Sequence, residues 1–371
     1  MSTPRRGWQR PVFLLITLLI STPLLAEPPR VVTTIPPVHA LVAGVTEGVS
    51  EPHALIRGGQ SPHGYSLAPS DARELNRAAV IFAAGESVEG FLTRTARSLP
   101  EDTRLVWMEE IEGMVLLDSR EGGGWEPHDH SHNGHGHDDH GHDDHGHDDH
   151  GHDDHGHDDH GHDDHGHDDH GHDDHGHDDH GHDDHGHDDH GHDDHGHAHG
   201  GTDGHLWLDP RNAIVLTEHA AAVLAELDPD NADTYRENAR RQVERLEALE
   251  RELHERLAGI RDLPYLVFHD AYQYFERRFG LNAIGSVTID PERAPGARRI
   301  NELSQRVEAD DVVCVFSEPQ FEPRVIRVIS EGTNVRIGEL DPLGGDLEPG
   351  PGAYEQLLRD LAAGLEDCLA A

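Results

Sequence analysis

Between Gly136 and His195 the pentapeptide Gly-His-Asp-Asp-His repeats twelve times without interruption. A run of this kind has no apolar side chain to bury, so it cannot contribute to a core. With its flanks, residues 128–199 hold 30 of the 37 histidines and 25 acidic residues, and no Lys or Arg. The segment is expected to be a disordered insertion, and the fold must be built from the chain on either side of it. Its histidines are candidate accessory metal ligands: His128, His130, His132, His135, His137, His140, His142 and His145, onward through the repeats to His195, His197 and His199.

The first 26 residues also separate from the rest. Arg5, Arg6 and Arg10 precede an apolar run from Val12 to Ile20, and small residues lead to Ala26. This order reads as an export signal, cleaved near Ala26. The apolar run is too short to span a bilayer comfortably, so no membrane insertion of the mature chain is expected. The formal net charge is −44, more than half of it carried by residues 128–199, and the remainder is still acidic. Nucleic acid and anionic surfaces are therefore poor partners. Only two cysteines occur, Cys314 and Cys368. In an exported chain the pair reads as a disulfide, with two buried thiols as the alternative.

What remains alternates short β-branched runs with helical patterns, which argues for parallel α/β architecture. Strands are expected at 31–35, 54–56, 79–82 and 104–107, and helices at 38–49, 70–79 and 91–99. After the tract a helix is expected over 212–227. A second runs unbroken from Pro229 to Gly259, with apolar residues at three- and four-residue spacing, about 46 Å long at 1.5 Å per residue. A second alternating half follows, with strands at 265–268, 283–284, 311–316 and 335–337 and helices at 272–279, 297–309, 323–330 and 353–369. The expected layout is a lobe over 27–227 that carries the insertion, a linking helix over 228–260, and a lobe over 261–371.

Seven histidines lie outside the tract: 39, 53, 63, 205, 219, 254 and 269. His63, His205 and His269 sit at strand or loop ends, in "SPHGYSLAPSD", "GHLWLDPRN" and "YLVFHDAYQYFE". Parallel α/β sheets bind ligands beyond the carboxyl ends of their strands. Three imidazoles in such positions, in an acidic chain, point to a metal. His254-Glu255 is not a zinc-protease motif, because Ala258 stands where a second His is needed. His39, in a helix start, reads as structural, with a place near the site as the alternative; His53 and His219 have no supporting context.

The segments "GQSPHGYSLAPSD", "HLWLDP", "VFHDAYQYFE", "FSEPQF" and "LDPLG" together resemble the signatures of periplasmic zinc-binding proteins that feed ABC transporters. Their order and spacing match over essentially the whole mature chain. The resemblance implies two α/β lobes with parallel sheets, joined by one long rigid helix, with the metal in the cleft between them. It implies a His- and acid-rich loop in the first lobe and a Cys314–Cys368 disulfide. It makes His63, His205 and His269 the Zn²⁺ ligands, three imidazoles being suited to zinc and carboxylate-rich sites to manganese. Pro62 stands where some relatives place a ligating Glu, so Asp341 is the candidate fourth ligand, with water as the alternative. Glu318 takes no ligand role.

The expected function is high-affinity zinc capture in the periplasm and delivery to the membrane permease of an ABC importer, by a monomer that is not an enzyme. The tract serves as an accessory collector. Two other readings stay open: a metal buffer acting mainly through the tract, and a zinc hydrolase, which needs an open coordination position and a general base.

Overall fold

A computed structural model describes residues 27–120, 124–125, 201–322 and 324–371. The expected signal segment 1–26 and the tract 128–199, with its accessory histidines, lie outside the described residues.

The strands form two four-stranded sheets, and every pairing between strands is parallel. In the first sheet β1 (Val31–Thr33), β2 (His53–Ala54), β3 (Val80–Ala83) and β4 (Arg104–Trp107) lie in the order β2-β1-β3-β4. β1 and β3 are buried throughout, as expected of apolar runs covered on both faces. Helices α1 (Pro36–Thr46), α2 (Pro69–Leu75) and α3 (Gly90–Ala96) connect them. Proline opens α1 and α2, where a missing N–H costs nothing.

After the insertion, α4 (Pro210–Leu227) starts at Asp209, whose side chain accepts from the Arg211 amide at 2.8 Å. The long helix is shorter than its periodicity suggests. α5 runs for 25 residues, Ala232–Arg256, with 3₁₀ turns at Pro229–Asn231 and Leu257–Gly259. Its α-helical part is thus about 38 Å long. Asn231 and Tyr235 donate to the Asp228 carboxylate at 2.8 and 2.9 Å, which holds the first turn in its tighter geometry. Leu246, Leu249 and Leu253 are fully buried. α5 packs on α1 and α4 and also on the last helix, α9 (Ala353–Leu369). Arg245–Glu355, Arg256–Glu366 and Arg359–Glu252 pairs, at 3.0, 2.6 and 2.8 Å, line its contact with α9.

The second sheet contains β5 (Tyr265–His269), β6 (Ala283–Thr288), β7 (Cys314–Ser317) and β8 (Arg336–Glu339), in the order β6-β5-β7-β8. α6 (Gln273–Phe279), α7 (Ala297–Ala309) and α8 (Arg324–Ser330) complete it. β6 is longer than expected because Gly285 and Ser286, which interrupt its apolar run, still pair with Leu266 and Val267 of β5 after a register shift that skips Ile284. β7 is shorter than expected: Asp311, at φ 49°, occupies the left-handed region where the chain leaves α7. Cys314 and Cys368 form a disulfide that ties β7 to α9. Both sheets belong to one compact unit, and a single buried cluster runs from β1 and β3 through α4 and α5 to Tyr354, Leu358 and Leu365 of α9. A second cluster lies between the second sheet and α7 and α8. Among the described residues no helix is long and apolar enough to cross a membrane.

Candidate metal centre

Three local structures bring His63, His205 and His269 to one point. His63 lies in the loop between β2 and α2, which Tyr65 pins: its hydroxyl donates to Asp71 at 2.8 Å and its ring packs edge-on to Phe91. His205 precedes a 3₁₀ turn, Leu206–Leu208, at the start of α4. Trp207 in that turn is fully buried; its indole donates to the Pro342 carbonyl at 2.8 Å and its own carbonyl accepts from Tyr354 at 2.6 Å. His269 is the last residue of β5. The ring centroids stand 5.3–5.5 Å apart, and one ligand atom from each His lies within 4.8 Å of the others.

The Nε2 atoms of His205 and His269 are 3.4 Å apart. Two nitrogens bound tetrahedrally at zinc distances of roughly 2.0–2.1 Å are separated by about 3.3–3.4 Å, so the pair is already spaced for a shared ion. Each of these rings is aimed by a carboxylate. His205 Nδ1 lies 2.7 Å from Asp203 Oδ1, and His269 Nδ1 lies 2.7 Å from Glu318 Oε1. A carboxylate accepts only from a protonated nitrogen, so Nδ1 carries the hydrogen and the Nε2 lone pair faces the centre. All four side chains are buried. Two carboxylates beside three neutral imidazoles balance the charge of a divalent cation and make an unfavourable cavity for an anion.

The proton equilibria differ among the clustered histidines. Burial, and then the repulsion that a proton on it would meet from His205 and His269, pushes the pKa of His63 well below the ordinary value, which favours the neutral ring. Burial also acts to lower that of His269, but Glu318, with Asp270 and Asp203, outweighs it and the net direction is upward. His39, by contrast, contacts Thr33 Oγ1 at 3.1 Å within the core and lies outside the cluster.

Asp341, the expected fourth ligand, does not join the three histidines. Its Oδ1 accepts from Gln320 at 2.7 Å and from the Leu343 amide at 2.9 Å, and its Oδ2 accepts from the Gly345 amide at 2.7 Å. These bonds organise the turn after β8. The turn approaches the loop that leads to His63 so closely that a Cβ on Gly345 would stand 2.8 Å from the Gly59 Cα. Glycine is required there by backbone proximity.

Residues 31–368 match the family described as zinc-uptake complex component A, periplasmic, or ZnuA. The chain belongs to the ZnuA family. It is 44% identical over 346 residues to the high-affinity zinc uptake system protein ZnuA of Brucella abortus (strain 2308), covering 93% of each chain. It is 36% identical over 366 residues to the ZnuA of Paracoccus denitrificans (strain Pd 1222), covering 98% of this chain and 99% of that one. Among solved structures, a crystal structure of ZnuA superposes with a TM-score of 0.64 at 20% identity, over 92% of this chain and 100% of the other. The periplasmic zinc-binding protein TroA from Treponema pallidum gives 0.65 at 15% identity, over 93% and 100%. These two likenesses establish the fold. The family is one of solute-binding proteins, which sets the hydrolase reading aside.

Two functional groups escape a motif-based reading, Asp203 as the partner of His205 and Glu318 as the partner of His269. An Asp two residues before a candidate ligand, in "TDGH", is a local signal for the first. The second pairing spans 49 positions and follows only from β5 and β7 being neighbours.

Proposed function

We propose that the chain captures zinc with high affinity in the periplasm and delivers it to the membrane permease of an ABC-type importer. His63, His205 and His269 bind the ion, and water takes the fourth position in place of Asp341. The protein acts as a monomer after removal of residues 1–26 near Ala26, with residues 128–199 as an accessory collector. The observation that carries the reading is the pair of buried imidazoles, each aimed by a carboxylate, with Nε2 atoms 3.4 Å apart and His63 beside them. An all-imidazole donor set favours zinc over the harder Mg²⁺ and Mn²⁺. The disulfide fits an oxidising compartment.

Competition against a chelator, on a chain lacking 128–199, tests the site. Changing an outer partner of a metal ligand costs about 10–100-fold in affinity. Glu318→Ala should fall in that range, and His63→Ala, His205→Ala and His269→Ala should each lose more. Wild-type affinity in any histidine variant removes that residue from the site.

A further inference from the structure

The segment leading into the insertion crosses to the second sheet, and none of the residues it uses there belongs to the metal cluster. Arg120 donates from Nε to both oxygens of Asp270 at 3.0 Å, from Nη2 to Asp270, and from Nη1 to Glu276 of α6 at 2.8 Å. Its guanidinium carbon lies 3.4 Å from the centroid of the Trp125 ring, within cation–π range. The backbone continues the attachment. Gly124 forms an antiparallel bridge with Gly285 of edge strand β6, the Trp125 amide donates to the Ile284 carbonyl at 2.9 Å, and Arg306 of α7 donates to the Trp125 carbonyl at 2.8 Å.

At its other end the segment pairs with the residues that return from the insertion. Asp118 bridges Thr202, the Ser119 amide donates to the Gly201 carbonyl at 2.8 Å, and the Asp203 amide donates to the Leu117 carbonyl at 2.8 Å. Asp203 is the group that aims His205. Asp270 is the middle residue of a tight turn closed by the Ala271 amide donating to the His269 carbonyl at 2.9 Å. A bidentate guanidinium fixes the direction of a carboxylate more firmly than a point charge does. Here that carboxylate stands one residue beyond His269.

We propose that Leu117–Arg120 act as a strap between the two halves, with Gly124 and Trp125 as further attachment points on the second sheet, and that Arg120 is a positioning residue for zinc. By holding Asp270, Arg120 fixes the turn that presents His269, while the other end of the strap holds Asp203 behind His205. The inference rests on the zinc-site reading, because it requires His269 to be a ligand. Without the guanidinium, the turn at 269–271 loses its anchor, and the partly buried Asp270 and the fully buried Glu276 are left without a cation.

The test is the rate of zinc transfer to a chelator from the full chain, measured together with thermal unfolding. Arg120→Ala should release zinc faster, on the order of tenfold to a hundredfold, as other changes behind a metal ligand do. Arg120→Lys keeps the buried charge, and with it the fold, but not the fork, and should release at an intermediate rate. Arg359→Ala, which breaks a different ion pair on α9, should lower thermal stability and leave release unchanged. A folded Arg120→Lys and Arg120→Ala that both release at the wild-type rate, while His269→Ala loses tight binding, overturn the strap alone. Equal acceleration by Arg359→Ala overturns it too, by reducing Arg120 to a stabilising pair. Wild-type binding by His269→Ala overturns both the strap and the zinc site.

Discussion

Glu89 shows how one side chain can set the pH response of the folded chain away from the metal. It is fully buried just before α3; one carboxylate oxygen accepts from the Ala84 amide at 2.8 Å, and the other has no hydrogen-bond partner. Burial pushes its pKa up to about 7; the nearby Thr34 hydroxyl and the Ala84 and Gly85 amides act against the rise, and Glu109 adds to it. The folded pKa is therefore above the unfolded one, near 4.5. Between these values the folded chain holds a proton that the unfolded chain releases, so stability falls as pH rises from about 4.5 to about 7 and is flat above. Over that window the loss is about 3 kcal/mol. Glu89→Gln keeps an acceptor for Ala84 and removes the charge. Urea unfolding should find it more stable than wild type at pH 8 and no more stable at pH 4.5. An equal difference at both values would show that the carboxyl does not titrate in this way.

Among the elements, α9 connects the sequence-distant parts of the molecule. It packs on β8, α1 and α5, carries the Tyr354 hydroxyl that bonds the turn after His205, and is tied to β7 by Cys314–Cys368. The bond closes a loop of 54 positions, which in the chain-entropy description stabilises by about 4 kcal/mol. A double variant, Cys314→Ser with Cys368→Ser, should lose a comparable amount in denaturant unfolding. An unchanged midpoint would mean that packing alone holds α9.

For the whole molecule, the proposed zinc site and the proposed collector differ in kind. The three clustered imidazoles sit on folded elements, so an ion binding there orders little of the chain. The tract offers 30 histidines and 25 acidic residues but nothing to build a core from, so the collector proposal implies that each ion captured there carries a cost of ordering chain. Calorimetry at neutral pH should find one tight site and several weak ones, and deletion of 128–199 should remove only the weak class. The weak class should fade as pH falls through about 6.5, where unperturbed imidazole protonates. Loss of the tight site on deletion would make the tract the working centre and the protein a buffer.

The parallel α/β class and the convergence of the three histidines were legible in the sequence because each rests on a local pattern. Strands come from β-branched runs, helices from three- and four-residue spacing, and candidate ligands from imidazoles beside turn residues. Pairing β6 through Gly285 and Ser286 was not legible, since glycine and serine read as a break until β5 is seen beside them. Nor was the start of α5, which Asp228 helps to set through hydrogen bonds outside the apolar repeat. Asp341 carries the same carboxylate whether it faces a metal or three hydrogen-bond donors, and only the folded turn after β8 commits its oxygens to Gln320, Leu343 and Gly345. Glu318 behind His269 and Arg120 on Asp270 are likewise partners chosen in space, 49 and 150 positions apart in the chain. Short-range order follows from each residue's own preferences, but a hydrogen bond needs its two groups within about 3 Å, and tertiary packing alone sets that distance.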